Sequence, residues 1–180
     1  MPLDHLWATW RSNYIRGVVD SRTVVPEGEP DDGSSLFERI LHSGLADAET
    51  LILHRGPTCF VLLNRYPYTA GHLMVLPNRA VADLEALTGD EHREMWALVR
   101  DAVVALKAAV NCEAVNVGVN LGAAAGGSQS DHLHVHCVPR WVGDANFIAV
   151  AGETRVLPIS LDDVYRSLSE VATWSGTVEP

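Results

Sequence analysis

Hydrophobic residues recur along the chain with two different periods, and these periods predict its strands and helices. Residues 114–120 alternate between valine and asparagine or glycine, which is typical of a strand with two unlike faces. A long helix is predicted after Thr88, because Thr88 and Glu91 form a capping box and hydrophobic residues then recur every three or four positions up to Val110. Further strands are predicted at 50–54, 58–64, 72–76 and 132–138. This order predicts an α+β domain with a mainly antiparallel sheet and a helix that crosses between strands.

The same patterns place a central core between two extensions, all within a single domain. Residues 1–44 form an N-terminal extension that starts with helical hydrophobic spacing, continues as a loop that we expect to be mobile, and ends in a short helix near 36–42. Residues 45–150 form the core. Residues 151–180 form a tail with one helix near 160–173.

The composition suits a folded domain and excludes several classes of partner. The 180 residues are 47% hydrophobic and 20% charged, and the formal net charge is −10, so we expect no binding to nucleic acid or anionic membranes. No apolar run approaches the ~18 residues of a membrane-spanning helix, and the N-terminus lacks a signal-peptide pattern. The three cysteines form no close pair, which argues against a disulfide framework and favours a cytoplasmic protein.

The candidate chemistry lies in one short segment, D-H-L-H-V-H-C-V-P-R-W at 131–141. In a strand, His132, His134 and His136 share one face, each ~7 Å from the next, while the hydrophobic residues between them point into the core. Packing alone does not readily explain three histidines on one face. Two chemical interpretations follow: the imidazoles are metal ligands, or one is a nucleophile that its neighbours orient while they protonate the leaving group.

The loop that precedes the histidines favours the nucleophile. Residues 120–128, N-L-G-A-A-A-G-G-S, supply small side chains and close backbone access, which suit a phosphate group held by N–H groups and a hydroxyl. No cluster of carboxylates accompanies the histidines, as a metal site often requires, and by alternation Asp131 points to the opposite face. The sequence therefore favours a substrate that carries phosphate.

These residues resemble the signature of the histidine-triad family of nucleotidyl hydrolases and transferases. The family pattern H-φ-H-φ-H-φ-φ, where φ is apolar, is matched without exception at 132–138, and the resemblance covers roughly residues 45–150. Supporting matches are N-R-x-P at 64–67, G-H-x-M-V-x-P at 71–77 and N-x-G-x-N-x-G at 116–122. Residues 6–14 and 139–147 resemble the branch of the family that contains actinobacterial diadenosine tetraphosphate phosphorylases.

The resemblance implies a fold and an activity. It implies the α+β histidine-triad fold, with an antiparallel sheet of about five strands and assembly as a homodimer or a higher homo-oligomer. It also implies phosphorolysis of diadenosine tetraphosphate to ADP and ATP through a covalent nucleotidyl-histidine, with a dinucleoside polyphosphate and inorganic phosphate as partners. Two alternatives stay open: a dinucleoside polyphosphate or nucleotide-conjugate hydrolase that uses water, and a nucleotide- or metal-binding protein without turnover.

The resemblance also implies roles for particular residues. His134 would attack the α-phosphate through Nε2 while a backbone carbonyl holds its Nδ1–H, and His132 and His136 would contact phosphoryl oxygens. Asn64 matches the ribose-binding position, and His72 lines the same pocket. The residues expected to face the phosphates are Asn120, Gly127 and Ser128. This chemistry requires no metal cofactor, and magnesium would enter only with the substrate.

Two departures from the family pattern refine these expectations. Many relatives hold a structural zinc at positions that here are Ser35, Glu38 and Ala80, together with the first triad histidine, so we expect no structural zinc. Ser128 stands where hydrolases of the family often keep glutamine, and its shorter side chain leaves room for phosphate; a shift of one position would bring Gln129 there instead. Arg140, just past the last strand, either meets a phosphate or pairs with an acid.

Overall fold

One antiparallel sheet organises the fold. The computed structural model describes residues 33–125, 129–144 and 157–176. The five strands of the sheet are β1 (Ile52–Arg55), β2 (Cys59–Leu63), β3 (Leu73–Pro77), β4 (Ala114–Val119) and β5 (Val135–Arg140). Their spatial order is β1-β2-β3-β5-β4, with every neighbouring pair antiparallel. The predicted α+β class and antiparallel sheet are confirmed.

Helices cover the sheet and connect its strands. In the described part of the chain they are α1 (Leu36–Leu41), α2 (Asp47–Thr50), α3 (Gly89–Val110) and α4 (Leu161–Val171), with 3-10 turns at Leu84–Ala86 and Ala123–Ala125. The predicted capping box of α3 is present, because Thr88 Oγ accepts from the N–H of Glu91 and the Glu91 carboxylate accepts from the N–H of Thr88. The helix predicted at the start of the chain lies outside the described residues. None of the described helices has the length and apolarity needed to cross a membrane.

Both faces of the central strands are buried, by different elements. β2 and β3 are buried at every position, which explains why their sequences are continuous hydrophobic runs. On one face, Val61 and Val75 pack with Leu98 of α3 and Leu168 of α4. On the other face, the hydrophobic side chains that pack with α1 are Ile52, Phe60, Leu62, Met74 and Leu76. The histidines lie toward this second face, where Phe37 of α1 meets their rings.

The starts of two strands differ most from the prediction. β5 begins at Val135, whereas the predicted strand covered 132–138, because the N–H of Leu133 donates to the carbonyl of Val81 at 2.7 Å rather than to a neighbouring strand. β1 begins at Ile52 because the preceding residues form α2, and Leu51 then adopts a left-handed conformation with φ 64°. Both local structures depend on contacts that a hydrophobic period does not encode.

The predicted alternation of β4 is present, but its burial is only partial. β4 lies at the edge of the sheet and pairs with β5 alone among the described strands. Val115 and Val119 pack against the core, whereas Val117 between them is 41% exposed. The valine face of β4 is therefore only partly covered within one chain.

Candidate active site

The three histidines follow one another in an extended segment that leads into β5. Between them, Leu133 and Val135 are 2% and 0% exposed and pack in the core together with Cys137. The predicted alternation, with hydrophobic residues on one face and histidines on the other, is therefore confirmed. On the opposite side, the rings of His134 and His136 lie 4.8 Å apart between centroids.

One hydrogen bond determines which nitrogen of His134 carries the lone pair. Its Nδ1 lies 2.8 Å from the backbone carbonyl oxygen of His132, and a carbonyl only accepts, so Nδ1 carries the hydrogen and Nε2 carries the lone pair. The His134 side chain is 7% exposed. Burial lowers the pKa of His134, against the opposing effects of the bond to His132 and the charge of Asp131. His134 is therefore a neutral imidazole with an available lone pair at neutral pH.

Both ring nitrogens of His132 are used within the protein, which corrects the expectation that His132 contacts phosphoryl oxygens. Its Nδ1 lies 2.6 Å from Ser35 Oγ, and its Nε2 lies 2.9 Å from the carbonyl oxygen of Pro77. The side chain is 1% exposed, and this burial lowers its pKa, opposed by the bond to Pro77 and by nearby carboxylates. His132 contributes to the site through its backbone carbonyl, which holds His134.

The positions where a family zinc would be held come together in space but do not fit a metal. The Glu38 carboxylate accepts from the N–H groups of Ser35 and Ala80, both at 2.9 Å. His132 is bonded at both nitrogens, Ser35 offers a hydroxyl already bonded to it, and Ala80 has only a methyl group. A tetrahedral zinc requires four nitrogen, sulfur or carboxylate donors, which this set does not provide. Across the described ranges, no group of three or more His, Cys, Asp or Glu side chains is placed to hold a metal ion.

A second set of hydrogen bonds fixes the orientation of His136. The Nε2 of His72 lies 2.9 Å from His136 Nδ1. At its other nitrogen, His72 accepts from the backbone N–H of Tyr68 at 3.1 Å and lies 3.3 Å from the amide nitrogen of Asn64. Because Nδ1 of His72 is an acceptor, a neutral His72 carries its hydrogen on Nε2 and donates it to His136. A neutral His136 then carries its own hydrogen on Nε2.

This network changes the expected role of His72 and refines that of Asn64. His72 is 0% exposed, so it does not line the pocket but acts on the site through His136. Asn64 bonds to the backbone as well, since its Oδ1 accepts from the N–H of Tyr66 at 2.9 Å. The ribose-binding role of Asn64 stays a prediction.

The remaining predicted residues fall into three groups. The amide nitrogen of Asn120 lies 3.5 Å from Nε2 of His136, which places Asn120 at the site. Gly127 and Ser128 lie outside the described residues. Arg140 pairs with an acid, because its guanidinium contacts both carboxylate oxygens of Asp144 at 2.6 and 2.7 Å, which confirms one of its two predicted uses.

Two aromatic residues contact the histidines and were not predicted from the sequence. Phe37 of α1 lies 5.5 Å from the ring of His132 and 5.4 Å from that of His134, between centroids. Tyr68 lies 4.6 Å from the ring of His72. Ser35 and Glu38 form a capping box that marks the start of the helix carrying Phe37, but no local pattern indicates that this helix faces the triad.

The chain is similar to proteins whose names state an activity on dinucleoside polyphosphates. AP-4-A phosphorylase from Mycobacterium tuberculosis is 42% identical over 167 residues, which cover 93% of this chain and 83% of that protein. The asymmetrical bis(5'-nucleosyl)-tetraphosphatase of Schizosaccharomyces pombe is 31% identical over 93 residues, which cover 52% of this chain and 50% of that protein.

The fold of the chain and its match to a family pattern agree with the similarity to these relatives. A zinc-bound histidine triad family protein from Mycobacterium smegmatis has a TM-score of 0.62 over 77% of this chain and 92% of that chain, at 23% identity, which shows a shared fold. Residues 46–142, which include all five strands, match the family described as HIT domain. The chain belongs to the histidine-triad, or HIT domain, family.

Proposed function

We propose that this chain cleaves diadenosine tetraphosphate with inorganic phosphate to give ADP and ATP. The observation that carries the proposal is the geometry of His134, whose Nδ1–H donates to the His132 carbonyl at 2.8 Å and leaves a lone pair on Nε2. Similarity to AP-4-A phosphorylase over 93% of the chain supports this substrate. The orientation of one buried imidazole thus provides a nucleophile for a phosphorus atom.

His134 performs the first step. Its Nε2 lone pair forms a bond to the α-phosphorus of one adenosine end, and the bond from that phosphorus to the next bridging oxygen breaks, so that ATP leaves. The adenylyl group stays on Nε2, and the ring gains positive charge. The His132 carbonyl at Nδ1–H stabilises this charge without moving, because the hydrogen bond already exists in the resting site.

His136 and Asn120 act as donors to the phosphoryl oxygens. His72 directs the hydrogen of a neutral His136 to Nε2, and the Asn120 amide nitrogen lies 3.5 Å from that atom. Such donors stabilise the negative charge that develops on the equatorial oxygens and on the bridging oxygen that departs with ATP. No protein-bound metal takes part, and magnesium enters bound to the polyphosphate.

Inorganic phosphate completes the reaction. One of its oxygens bonds to the α-phosphorus, the nitrogen–phosphorus bond breaks, its electron pair returns to Nε2 of His134, and ADP is released. Water at ~55 M competes for the same intermediate, so phosphate must be bound beside it. Gly127, Ser128 and Asn120 are the residues predicted to bind this phosphate, the first two from the sequence alone.

Hydrolysis is the second candidate, and one comparison favours it. The Schizosaccharomyces pombe relative is named an asymmetrical tetraphosphatase, and it is 31% identical over 52% of this chain. A hydrolase would use the same covalent intermediate, with water as the acceptor, and would give AMP and ATP. The two candidates differ only in the acceptor.

Product analysis tests both candidates. The purified chain is incubated with diadenosine tetraphosphate, with and without radiolabelled phosphate, and nucleotides are resolved by anion exchange. Phosphorolysis gives ATP and labelled ADP only with phosphate, whereas products and rate that ignore phosphate would establish hydrolysis. His134→Ala is expected to abolish turnover and retain nucleotide binding, while His92→Ala, at an exposed helix position, is the control.

The predicted acceptor site has its own variant. Ser128→Gln is expected to shift the products from ADP towards AMP, because the longer side chain fills the space predicted for phosphate. Ser128→Ala removes one donor and is expected to weaken the use of phosphate more than the binding of dinucleotide. Unchanged product ratios in both variants would exclude Ser128 from the acceptor site.

We also propose that the protein is a cytoplasmic homodimer. The edge position of β4 and the 41% exposure of Val117 support pairing through this strand. The three cysteines are all free and buried, as is common in a reducing compartment. Light scattering on the eluted protein is expected to give twice the chain mass, and Val117→Glu is expected to give one chain mass.

A further inference from the structure

Three distant parts of the chain meet at the buried side chain of Ser35. Ser35 precedes α1 and is 4% exposed, and its Oγ lies 2.6 Å from Nδ1 of His132, which is 97 residues away in the sequence. The Glu38 carboxylate joins the N–H of Ser35 to the N–H of Ala80, both at 2.9 Å. α1 is therefore bonded both to the segment after β3 and to the segment that carries the nucleophile.

The hydrogen bonds at Ser35 have one consistent set of directions. The Pro77 carbonyl only accepts, so Nε2 of His132, 2.9 Å away, carries the hydrogen of that ring. Nδ1 of a neutral His132 is then an acceptor, and the Ser35 hydroxyl donates to it. The Ser35 oxygen in turn accepts from the N–H of Glu38 at 3.1 Å. The Pro77 carbonyl thus fixes the tautomer of His132, and Ser35 donates to that tautomer and holds the orientation of the ring.

We propose that Ser35 is a positioning residue for the nucleophile and acts through His132; this inference rests on the proposed function. Ser35 holds the ring of His132, and the carbonyl of His132 holds Nδ1 of His134 at 2.8 Å. Phe37 packs against both rings from the same helix. Nε2 of His134 therefore keeps a fixed direction, and displacement of a reacting group by about 1 Å costs about a hundredfold in rate.

Helix capping alone would give a different result. Ser35 is also the N-cap of α1, in a capping box with Glu38. Glycine at an N-cap costs much less stability than alanine, yet both substitutions remove the hydroxyl donor. If Ser35 acts only as a helix cap, Ser35→Gly is expected to keep stability and activity close to wild type, and Ser35→Ala is expected to lose more of both. If positioning matters, both lose activity alike.

Steady-state kinetics on the full chain separates these two roles. Ser35→Gly and Ser35→Ala are expected to lower kcat by about 10- to 100-fold while KM stays within about twofold. Ser35→Thr keeps a hydroxyl and is expected to recover kcat to within about threefold of wild type. Ser160→Gly, at the N-cap of α4, is the matched control because its hydroxyl bonds to Asp163 within the same helix. Wild-type kcat in Ser35→Gly would overturn the proposal.

Nitrogen NMR tests the geometry without turnover. With ¹⁵N-labelled histidine, His132 of the wild type is expected to show a protonated Nε2 and an unprotonated Nδ1, and Ser35→Gly is expected to change the Nδ1 signal. A wild-type His132 protonated at Nδ1 would overturn the proposal. The two possible failures give different results. If the proposed function is wrong, the wild type itself gives no ADP, ATP or AMP. If only this inference is wrong, the wild type is active and Ser35→Gly is equally active.

Discussion

The two faces of the sheet are both buried, yet their buried side chains differ in kind. The face covered by α3 and α4, here called the apolar face, is packed mainly with valine, leucine, alanine, methionine and cysteine. The buried carboxylates of α3 are Glu91, Glu94 and Asp101, and they bond to Arg79, Thr58 and Ser175. Toward α1, the buried side chains include Ser35, His72, His132 and His134, at 4%, 0%, 1% and 7% exposure. Each of these has a hydrogen-bond partner at a defined atom. Both faces therefore bury apolar side chains, and the face toward α1 also fixes the orientation of buried histidines.

Hydrogen bonds decide whether a buried polar side chain has a fixed orientation. A buried histidine without partners would be costly, whereas a bonded one has a single tautomer and a single direction. In His134 and His136 a hydrogen bond at Nδ1 fixes the orientation of the ring. The apolar face matters indirectly, because Leu133 and Val135 hold the histidine segment against it.

The largest expected effect on stability comes from the apolar face. Leu98 of α3 is 0% exposed in the core, so Leu98→Ala is expected to lower the free energy of unfolding by about 2–5 kcal/mol, through lost burial and a cavity. kcat measured at a temperature where the variant is folded should stay near wild type. Val104→Ala on the same helix, at a position 64% exposed, is the control and should change the free energy of unfolding little. A large loss of kcat in folded Leu98→Ala would contradict the separation of the two faces.

Substitution of His72 is expected to change the free energy of unfolding less than Leu98→Ala does, and to lower kcat. His72→Phe removes the N–H that reaches His136 Nδ1 at 2.9 Å, so that His136 no longer has a fixed tautomer. We expect kcat to fall by about 10- to 100-fold. His54→Phe is the matched control, since His54 stacks on Trp174 at 5.9 Å and is not part of the triad network. Equal kcat in the two variants would remove His72 from the account of the site.

Local patterns in the sequence predicted most of the apolar face. The capping box at Thr88 and the period of α3 are local features, and the alternation of Leu133 and Val135 placed the histidines on the other side. A backbone carbonyl at Nδ1 of His134 was implied by the family resemblance, and the structure identifies it as that of His132, two positions away. Short-range geometry is therefore readable from the sequence.

The histidine face depended on contacts between distant residues. The bond from Ser35 to His132 joins residues 97 apart, and the bond from His72 to His136 joins residues 64 apart. No period or spacing encodes either bond. The family resemblance implied that His132 meets phosphate, whereas both of its ring nitrogens are bonded within the protein. The substitution of Ser35 at a family zinc position was visible, but not its new partner.

The pH dependence of activity and stability is the next smaller effect. Burial lowers the pKa of both His132 and His134 from the ordinary value of 6.5. His134 must be neutral to attack, so kcat/KM is expected to stay level as pH falls to about 6.5 and to fall about tenfold per pH unit only below its lowered pKa. An acid limb that begins above pH 6.5 would contradict the burial of the nucleophile.

The free energy of unfolding is expected to depend on pH through the same histidines. The unfolded chain takes up protons on histidine near pH 6.5, whereas folded His132 and His134, and also His54, resist protonation, so the free energy of unfolding is expected to fall as pH drops below 6.5. Carboxylates with lowered pKa act in a more acidic window: Glu91, held at a pKa of about 2 first by its bond with Arg79, loses its contribution below 4.5. Denaturant titrations between pH 5 and 7 therefore isolate the histidines, and His134→Asn should reduce the slope.

The smallest expected effect is that of metal removal, which should leave the protein unchanged. A zinc at the junction of α1 with the histidine segment would need donors from Ser35, Glu38, Ala80 and His132. Both Glu38 oxygens accept backbone N–H groups, and both nitrogens of His132 are bonded. Binding zinc there would break these bonds without gaining a full set of ligands.

We expect no stoichiometric zinc by elemental analysis and the same Tm before and after chelation. The zinc-bound Mycobacterium smegmatis relative is the positive control for the metal assay. One zinc per chain, or a Tm lowered by chelation, would show that the polar face is held together by a metal rather than by hydrogen bonds.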